Sequence, residues 1–258
     1  VRLASILCSD QGYLIWNLIF RNLKIKYRRS ILGFFWSMLV PAATAAVYYM
    51  VFKVILKVQI ENYVAFVFTG VIFWSYFSQS VLESMDSIVG NQNLLTKVPV
   101  PPQSFPMVVV FTHTINAVLA FPVLLIVIST TTGQFGFSSL FAIPFLALLG
   151  IMALSLGGIL AVLFVYLRDL RYLVGIIFQL WIYATPVLYS EELIPIEYRW
   201  LLSFNPVSHI FIGLHKTLVQ QQFPGGFDLL IPLVWAGLLF FSYWIILSKV
   251  RHKLVERL

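Results

Sequence analysis

Residues Leu140–Tyr166 read LFAIPFLALLGIMALSLGGILAVLFVY, and not one side chain in the run is Asp, Glu, Lys or Arg. A helix of about 20 apolar residues crosses the hydrocarbon core of a bilayer, so this stretch is long enough to do so. Its apolar residues are continuous rather than alternating, which favours a helix over a strand of a β-barrel. Reading outward from it gives five more candidates, at Ile31–Phe52, Val64–Leu82, Phe105–Ile128, Tyr172–Leu188 and Leu229–Leu247. The run Tyr172–Leu188 is the marginal one, at about 17 residues. The chain is therefore expected to be an all-α integral membrane protein with six transmembrane helices.

Composition agrees. Of 258 residues, 60% are apolar, 16% aromatic and 10% charged, with a mean hydropathy of +0.91. A soluble domain carries roughly 25% charged residues, and this chain has more apolar surface than one globular core hides. An ordinary soluble enzyme, a disordered tail and a free nucleic-acid binder are excluded, although the net charge is +7. In a membrane protein such an excess reports topology. The single cysteine, Cys8, rules out an intrachain disulfide, a CxxC metal site and an iron–sulfur cluster. Residues 1–30 hold a short apolar run followed by Arg21, Lys24, Lys26, Arg28 and Arg29. That order is the reverse of a cleavable signal sequence, and none is expected.

Thirteen of the seventeen Lys and Arg fall on one side of the six spans. They lie in the segment up to Ser30, at Lys97, at Arg168 and Arg171, and in the tail from Lys249. Lys53, Lys57, Arg199 and Lys216 lie on the other side. The positive-inside rule then puts both termini in the cytosol. Residues 10–29 set Leu14, Leu18 and Ile25 against Arg21, Lys24 and Arg28. The pattern reads as an amphipathic helix on the cytosolic leaflet, or as a plain basic topology signal. In Ile194–Pro224 an apolar stretch is broken by Asn205-Pro206, His209, Gly213, His215 and Lys216. This suits short re-entrant or interfacial helices on the outer side, between spans five and six. The expected organisation is an amphipathic cytosolic interface segment over 1–30, a six-span domain over 31–250 and a cytosolic tail over 251–258.

Catalytic signatures fail in turn. There is no GxxxxGK[ST], no HExxH, no GxSxG and no CxxC. No catalytic residue, metal ligand or cofactor in this chain is expected. Of the four histidines, His209 and His215 are six apart, on different faces of a helix, and read as interfacial side chains at the outer surface. Glu191, Glu192, Glu197 and Arg199 read as a solvated loop. Glu83 and Asp86 are three apart on one helix face. They are either functional ionisable groups inside a span or headgroup-depth carboxylates pairing with Arg28, Arg29 or Arg168.

What remains is aromatic: 23 Phe, 12 Tyr and 7 Trp, not confined to two interfacial belts. Phe66, Phe73 and Phe77 recur on one face of the second span, with Trp74 beside them. Phe178 and Trp181 share a face of the fifth with Thr185, and the first carries Phe34, Phe35, Trp36, Tyr48 and Tyr49. The rings serve packing and lipid contact, or they line a pore. Sugar rings expose C–H patches that stack on aromatic faces, whereas fixed charges would grip a sliding chain at one point.

Several ordered motifs resemble one family. Arg21-Asn-Leu-Lys24-Ile-Lys26-Tyr27-Arg-Arg-Ser30-Ile-Leu-Gly33-Phe-Phe-Trp36, with Pro41, resembles its passage from amphipathic helix into first span. Asn93-Leu94-Leu95-Thr96-Lys97-Val98, then Pro101 and Pro106, resembles its first cytosolic loop, with a departure at Pro99-Val100 where relatives often carry two bulky residues. Arg168-Asp169-Leu-Arg171-Tyr172, Gln179-Leu-Trp181 and Pro186-Val-Leu-Tyr189 resemble the fourth–fifth junction, and Tyr198-Arg199-Trp200 with Asn205-Pro206 the external segment. In this order the motifs resemble the permease subunit of ABC-2-type exporters, in the branch that exports polysaccharides such as O-antigen, capsule and teichoic acid.

The resemblance implies a homodimer in the bacterial inner membrane, bound to two copies of a separate ATPase that holds ATP and Mg. It implies a lipid-linked polysaccharide cargo, usually on an undecaprenyl carrier. An ABC-2 exporter of a small amphiphile or drug, and a membrane enzyme acting on lipid-linked sugars, are the alternatives. Within the family's frame a short helix at Asn91–Val98 would couple to the ATPase through Asn91, Asn93, Leu94, Leu95 and Lys97, presenting both leucines. Arg168, Asp169 and Arg171 would fix a cytosolic turn, or serve topology alone. Phe66, Phe73, Trp74, Phe77, Phe178 and Trp181 are the channel-lining candidates, because the first, second and fifth spans surround the central path.

Overall fold

A computed structural model describes residues 10–27, 35–95, 100–133 and 136–256. Among these residues every regular element is helical. The helices are α1 (Asp10–Tyr27), α2 (Trp36–Tyr49, running on into a π-helical turn Met50–Ile55), α3 (Tyr63–Gly90), α4 (Gln92–Leu95) and α5 (Ser104–Thr132). A 3-10 turn, Phe137–Phe141, leads into α6 (Ala142–Tyr166), followed by α7 (Leu170–Trp181). Two 3-10 turns, Glu191–Leu193 and Ile196–Tyr198, precede α8 (Leu201–Phe204) and α9 (Ser208–Leu214). A π-helical turn, His215–Val219, and α10 (Gly226–Glu256) complete the chain.

Helix α3 is the axis of the molecule. It packs along α5 on one flank and α6 on the other, with α2 against a third side, and α10 covers the far side of α6. In lipid the tails solvate a Leu as well as a neighbouring helix does, so close packing and small residues, not expulsion of water, hold helices together. Two adjacent glycines of α6 supply that closeness. A Cβ at Gly157 would lie 2.7 Å from the Cβ of Ser84 in α3, and one at Gly158 would collide with the Tyr243 ring of α10. Phe73, Phe77, Phe145, Leu149, Met152 and Phe211 fill the core between them. Helix α5 ends at Gly133, whose φ of 68° lets its N–H reach back to the Ser129 carbonyl.

Five helices are long and apolar enough to cross a membrane among the described residues: Trp36–Ile55, Tyr63–Gly90, Ser104–Thr132, Phe137–Tyr166 and Gly226–Val250. They coincide with five of the six expected spans. The sixth, expected at Tyr172–Leu188, differs: α7 has 12 residues, about 18 Å of helix against a hydrocarbon core of about 30 Å. Pro186 is the reason, since it has no N–H for the Ile182 carbonyl and disfavours a helical Thr185. The chain turns and tucks against α3. The Tyr63 hydroxyl donates to the Leu188 carbonyl at 2.8 Å, and a Cβ at Gly70 would collide with the Val187 carbonyl. Thr185, Val187 and Leu188 are all buried, the condition under which irregular backbone survives at membrane depth.

Helix α1 does not stand alone. Ile15, Leu18 and Ile19 bury against Ile88, Leu95, Val100, Phe105, Val108 and Ala161, so one face is docked onto the ends of α3, α5 and α6. Tyr13, Trp16, Phe20 and Ile25 remain exposed with Arg21, Lys24 and Lys26. Arg28, Arg29, Gly33, Phe34, Thr96, Lys97, Val98, Pro99 and Cys8 lie outside the described residues.

Candidate functional site

The aromatic candidates divide in two. Trp74, Phe77, Phe178 and Trp181 form one cluster in which every pair of ring centroids lies 5.3–6.1 Å apart, each pair tilted or edge-on. Phe211 of α9 joins it at 6.0 Å from Trp74. Face i, i+3 of α3 and of α7 meet here, and ring pairs of this kind contribute about 0.5–1.5 kcal/mol beyond their buried area. Phe66 stands apart and stacks on His215 at 3.6 Å, while Phe73 is buried elsewhere on α3. Within the single chain five of the six are buried, and only Trp181 is partly open. The rings exposed beside them are Tyr172 and Tyr183, with Leu173, Ile176 and Leu180 on the outer face of α7.

Asn205 fastens this cluster. Its Oδ1 accepts from the Trp181 indole N–H at 3.1 Å and from the Val207 N–H at 3.3 Å. Its Nδ2 donates to the Thr185 hydroxyl at 2.9 Å and the Ala184 carbonyl at 3.1 Å. One amide therefore satisfies the C-terminal end of α7 and ties it to the segment between α8 and α9. The Asn-Pro pair was visible in the sequence, but its partners lie about twenty residues upstream and no spacing rule reveals them.

A second bracket sits at the start of α10. Asp228, with its side chain 7% exposed, accepts from Lys216 Nζ at 3.1 Å and from the Gly225 N–H at 2.9 Å, with His209 Nδ1 at 3.7 Å. Lys216 also reaches Glu191 at 3.4 Å. Burial pulls the Lys216 ammonium pKa down, but Asp228 and Glu191 together outweigh it, and the net shift is upward. Glu191 is thus held rather than solvated as expected. His215 is not an outer-surface histidine either: it is buried, its Nε2 3.2 Å from the Phe66 carbonyl.

At the other end the carboxylates find partners other than those expected. Glu83 pairs with His113 at 2.8 Å and Lys26 at 3.9 Å, and Asp86 with Arg171 at 3.4 Å. Arg168 lies over the Phe164 ring instead, 5.3 Å from its centroid. Asp169 is exposed and has no ion-pair partner among the described residues, so Arg168, Asp169 and Arg171 do not form one cluster. Arg171 is the member that links α7 to α3.

The expected coupling helix is described as far as Leu95. Asn91 accepts from the Arg21 guanidinium at 3.0 Å and donates to the Ser87 carbonyl at 2.8 Å. Asn93 is exposed, Leu94 half-buried, and Leu95 turned inward against α1, 7% exposed. Of the two leucines expected at the surface, Leu95 is buried against the α1 face and Leu94 packs on the edge of the same cluster, half-buried. Among the described residues no three His, Cys, Asp or Glu side chains gather to hold a metal. The polar contacts gather at two places, where helix ends are tied together.

The sequence profile of the ABC-2 type transporter family matches residues 13–219. The O-antigen export system permease protein RfbA of Myxococcus xanthus is 34% identical over 246 residues, covering 92% of this chain and 94% of that protein. A protein of the same name from Klebsiella pneumoniae is 26% identical, covering 92% and 91%. Another from that organism is 29% identical, covering 78% of each. With the multi-helix membrane architecture already described, these matches show that the chain belongs to the ABC-2 type transporter family.

Proposed function

We propose that this chain is the transmembrane subunit of an ATP-driven exporter that moves lipid-linked, O-antigen-like polysaccharide from the cytosol across the bacterial inner membrane. The observation that carries the reading is likeness along nearly the whole length to permeases named for O-antigen export. Two copies would enclose the path, with ATP and Mg held on two copies of a separate ATPase, and both termini in the cytosol. The sixth crossing would be composite, made of α7 and the buried turns after it, and residues 191–219 would form the re-entrant outer segment. Helix α1 would lie along the cytosolic leaflet by its exposed aromatic and basic face.

The joints support a division of labour. Movement delivered to Asn91, Asn93, Leu94 and the Lys97 stretch would pass through Leu95 and Arg21 into α1 and α3. The Trp74, Phe77, Phe178 and Trp181 cluster would make α7 follow α3, so that exposed rings of α7 and the edge of Trp181 contact the polymer. Phe66 and Phe73 would back that wall. Stacking that is weak at each ring lets a polymer be held everywhere and stopped nowhere.

The test is deletion of the gene with complementation. Loss of surface polysaccharide, with lipid-linked polymer accumulating at the cytosolic face, is expected. Normal surface polymer in the deletion strain, or export restored by an ATPase-binding-deficient chain, would refute the reading.

A further inference from the structure

Helix α7 divides its Gln179-Leu180-Trp181 stretch between two faces. Trp181 turns into the ring cluster, and Val174 and Phe178 are buried on the same side. Gln179, two residues or about 200° away around the helix, is exposed. Tyr172, Ile176 and Tyr183 are exposed on that outer face with it. Among them Gln179 is the one amide, and it makes no hydrogen bond to any described residue.

Its depth makes a bare amide costly against lipid. Arg171, paired with Asp86, marks the α1 end of α7. Gln179 lies two turns further on, about 12 Å along the axis, where half of a hydrocarbon core is about 15 Å. An amide without a hydrogen bond is expensive in hydrocarbon, and polar side chains at such depth face a water-filled cavity or the interior of a bundle. The position calls for a polar surface opposite this face of α7.

The neighbouring span carries a matching group. Tyr48 of α2 interacts with Tyr183 beyond the end of α7. One turn back toward the α1 end, α2 presents Thr44 on the face of Tyr48, and α7 presents Gln179 on the face of Tyr183. The Thr44 hydroxyl donates to the Val40 carbonyl at 2.9 Å, and its oxygen can still accept. Two uncharged polar side chains therefore stand at one level on two helices.

We propose that Gln179 is the hydrogen-bonding contact for cargo hydroxyl groups in the wall formed by α7, with Tyr172 and Tyr183 as ring faces on either side of it. A primary amide both donates and accepts, as a sugar hydroxyl does, so a sugar finds a match in either orientation. Being uncharged, it holds a passing chain no more tightly than one neutral hydrogen bond. An acyl chain offers the amide nothing, so Gln179 favours a hydroxylated polymer over lipid at a depth where lipid would otherwise enter. The identity of the cargo rests on the exporter reading of this chain, whereas the exposure of Gln179 to water does not.

Water exposure is tested in the full-length chain, purified with its partner ATPase in nanodiscs and carrying Cys8→Ser, which removes the single cysteine. A charged methanethiosulfonate reacts with a thiolate, which forms in water and not in lipid. It is expected to label Gln179→Cys and to leave Leu233→Cys, on the exposed apolar face of α10, unmodified. Equal resistance of the two would overturn the proposal. So would a disulfide between two copies of Gln179→Cys, because Cα atoms within about 7 Å of one another leave no room for a polymer.

The cargo contact is tested in a strain lacking the gene, at matched expression, by the rate at which surface polysaccharide appears. Gln179→Leu, of similar volume, is expected to slow it about three- to tenfold, the range of one neutral hydrogen bond, with the melting temperature unchanged. Gln179→Asn, which keeps the amide, is expected to recover most of the rate. A wild-type rate in Gln179→Leu, or no recovery in Gln179→Asn, would overturn the contact. No polymer with the wild-type chain would instead refute the exporter reading and this cargo with it, and the labelling would still decide whether the face is wet.

Discussion

The two ends of this molecule are fastened by opposite means. At the end away from α1, residues 182–228 are broken into short helices and turns, yet the half-buried Asn205 amide and the buried Asp228 carboxylate are matched to several partners each. At the α1 end the helices are regular, and the ion pairs Lys26–Glu83 and Arg171–Asp86 are half-exposed, although Glu83 also meets the buried His113. Such surface pairs contribute about 0–1 kcal/mol, so that end relies on the apolar seat of Leu95 and α1. Regularity and rigidity are therefore separate properties. A segment whose Asn205 and Asp228 side chains each meet several partners is tied at more points than a helix end held by solvated charges.

Substitutions at the apolar seat break this contrast hardest. Leu95→Asp puts a carboxylate among Ile15, Leu18 and Ile19 and is expected to cost about 4 kcal/mol or more, seen as loss of monodisperse protein. Leu94→Asp, one residue away, is expected to fold normally while ATP-driven export falls roughly tenfold, the cost of a charge buried at a partner contact. Equal stability of the two variants would erase the distinction between the leucines.

Lys216→Met leaves Asp228 enclosed without its cation and is expected to destabilise the outer end by about 3 kcal/mol, measured as a drop in melting temperature. The same pair has a pH signature. The Lys216 pKa is raised in the folded chain, so its stabilisation is complete below the ordinary lysine range and is lost as pH rises through the folded value. The melting-temperature gap between wild type and Lys216→Met should thus narrow in strongly alkaline buffer and stay constant near neutrality.

Asn205→Ala strands the Trp181 indole N–H, while the Thr185 hydroxyl keeps its bond to the Trp181 carbonyl, and is expected to cost about 2 kcal/mol. Tryptophan fluorescence, to which Trp74 and Trp181 of the ring cluster both contribute, should then report a looser cluster, while Leu94→Asp leaves it unmoved. The smallest effects belong to exposed charges: Arg171→Glu is expected to cost about 1 kcal/mol, and Asp169→Lys less than about 0.5 kcal/mol with export preserved. A large loss with Asp169→Lys would restore the idea of an Arg–Asp cluster at that turn.

Five spans were legible because each is an unbroken apolar run whose length alone decides. The stretch after Tyr172 was misjudged in length because Pro186 acts on a residue-by-residue hydrogen-bond ladder that hydropathy does not sense. Aromatic spacing paired Phe178 with Trp181 on α7, but on α3 it grouped Phe66 and Phe73 with Phe77, whereas Trp74 and Phe77 form the meeting face and Phe66 stacks on His215. Whether those faces pack inward or open onto a path was not in the pattern, because Phe211, which closes the cluster, arrives from a different part of the chain. The partners of Glu83, Asp86, Asn91 and Asp228 were hidden for the same reason: each is set by tertiary approach across 12 to 85 residues.

The shortness of α7 has an energetic meaning for anything polar that travels beside it. Its 12 residues amount to about 18 Å of apolar helix, roughly two-thirds of the bilayer's oily depth. Beyond Trp181 the wall is built of turns carrying hydroxyl and carbonyl groups at Thr185, Ala184 and Asn205. A hydrated cargo, were it to pass along α7 as proposed, would be stripped of bulk water over a correspondingly shorter distance, and the dielectric barrier before it would be narrower.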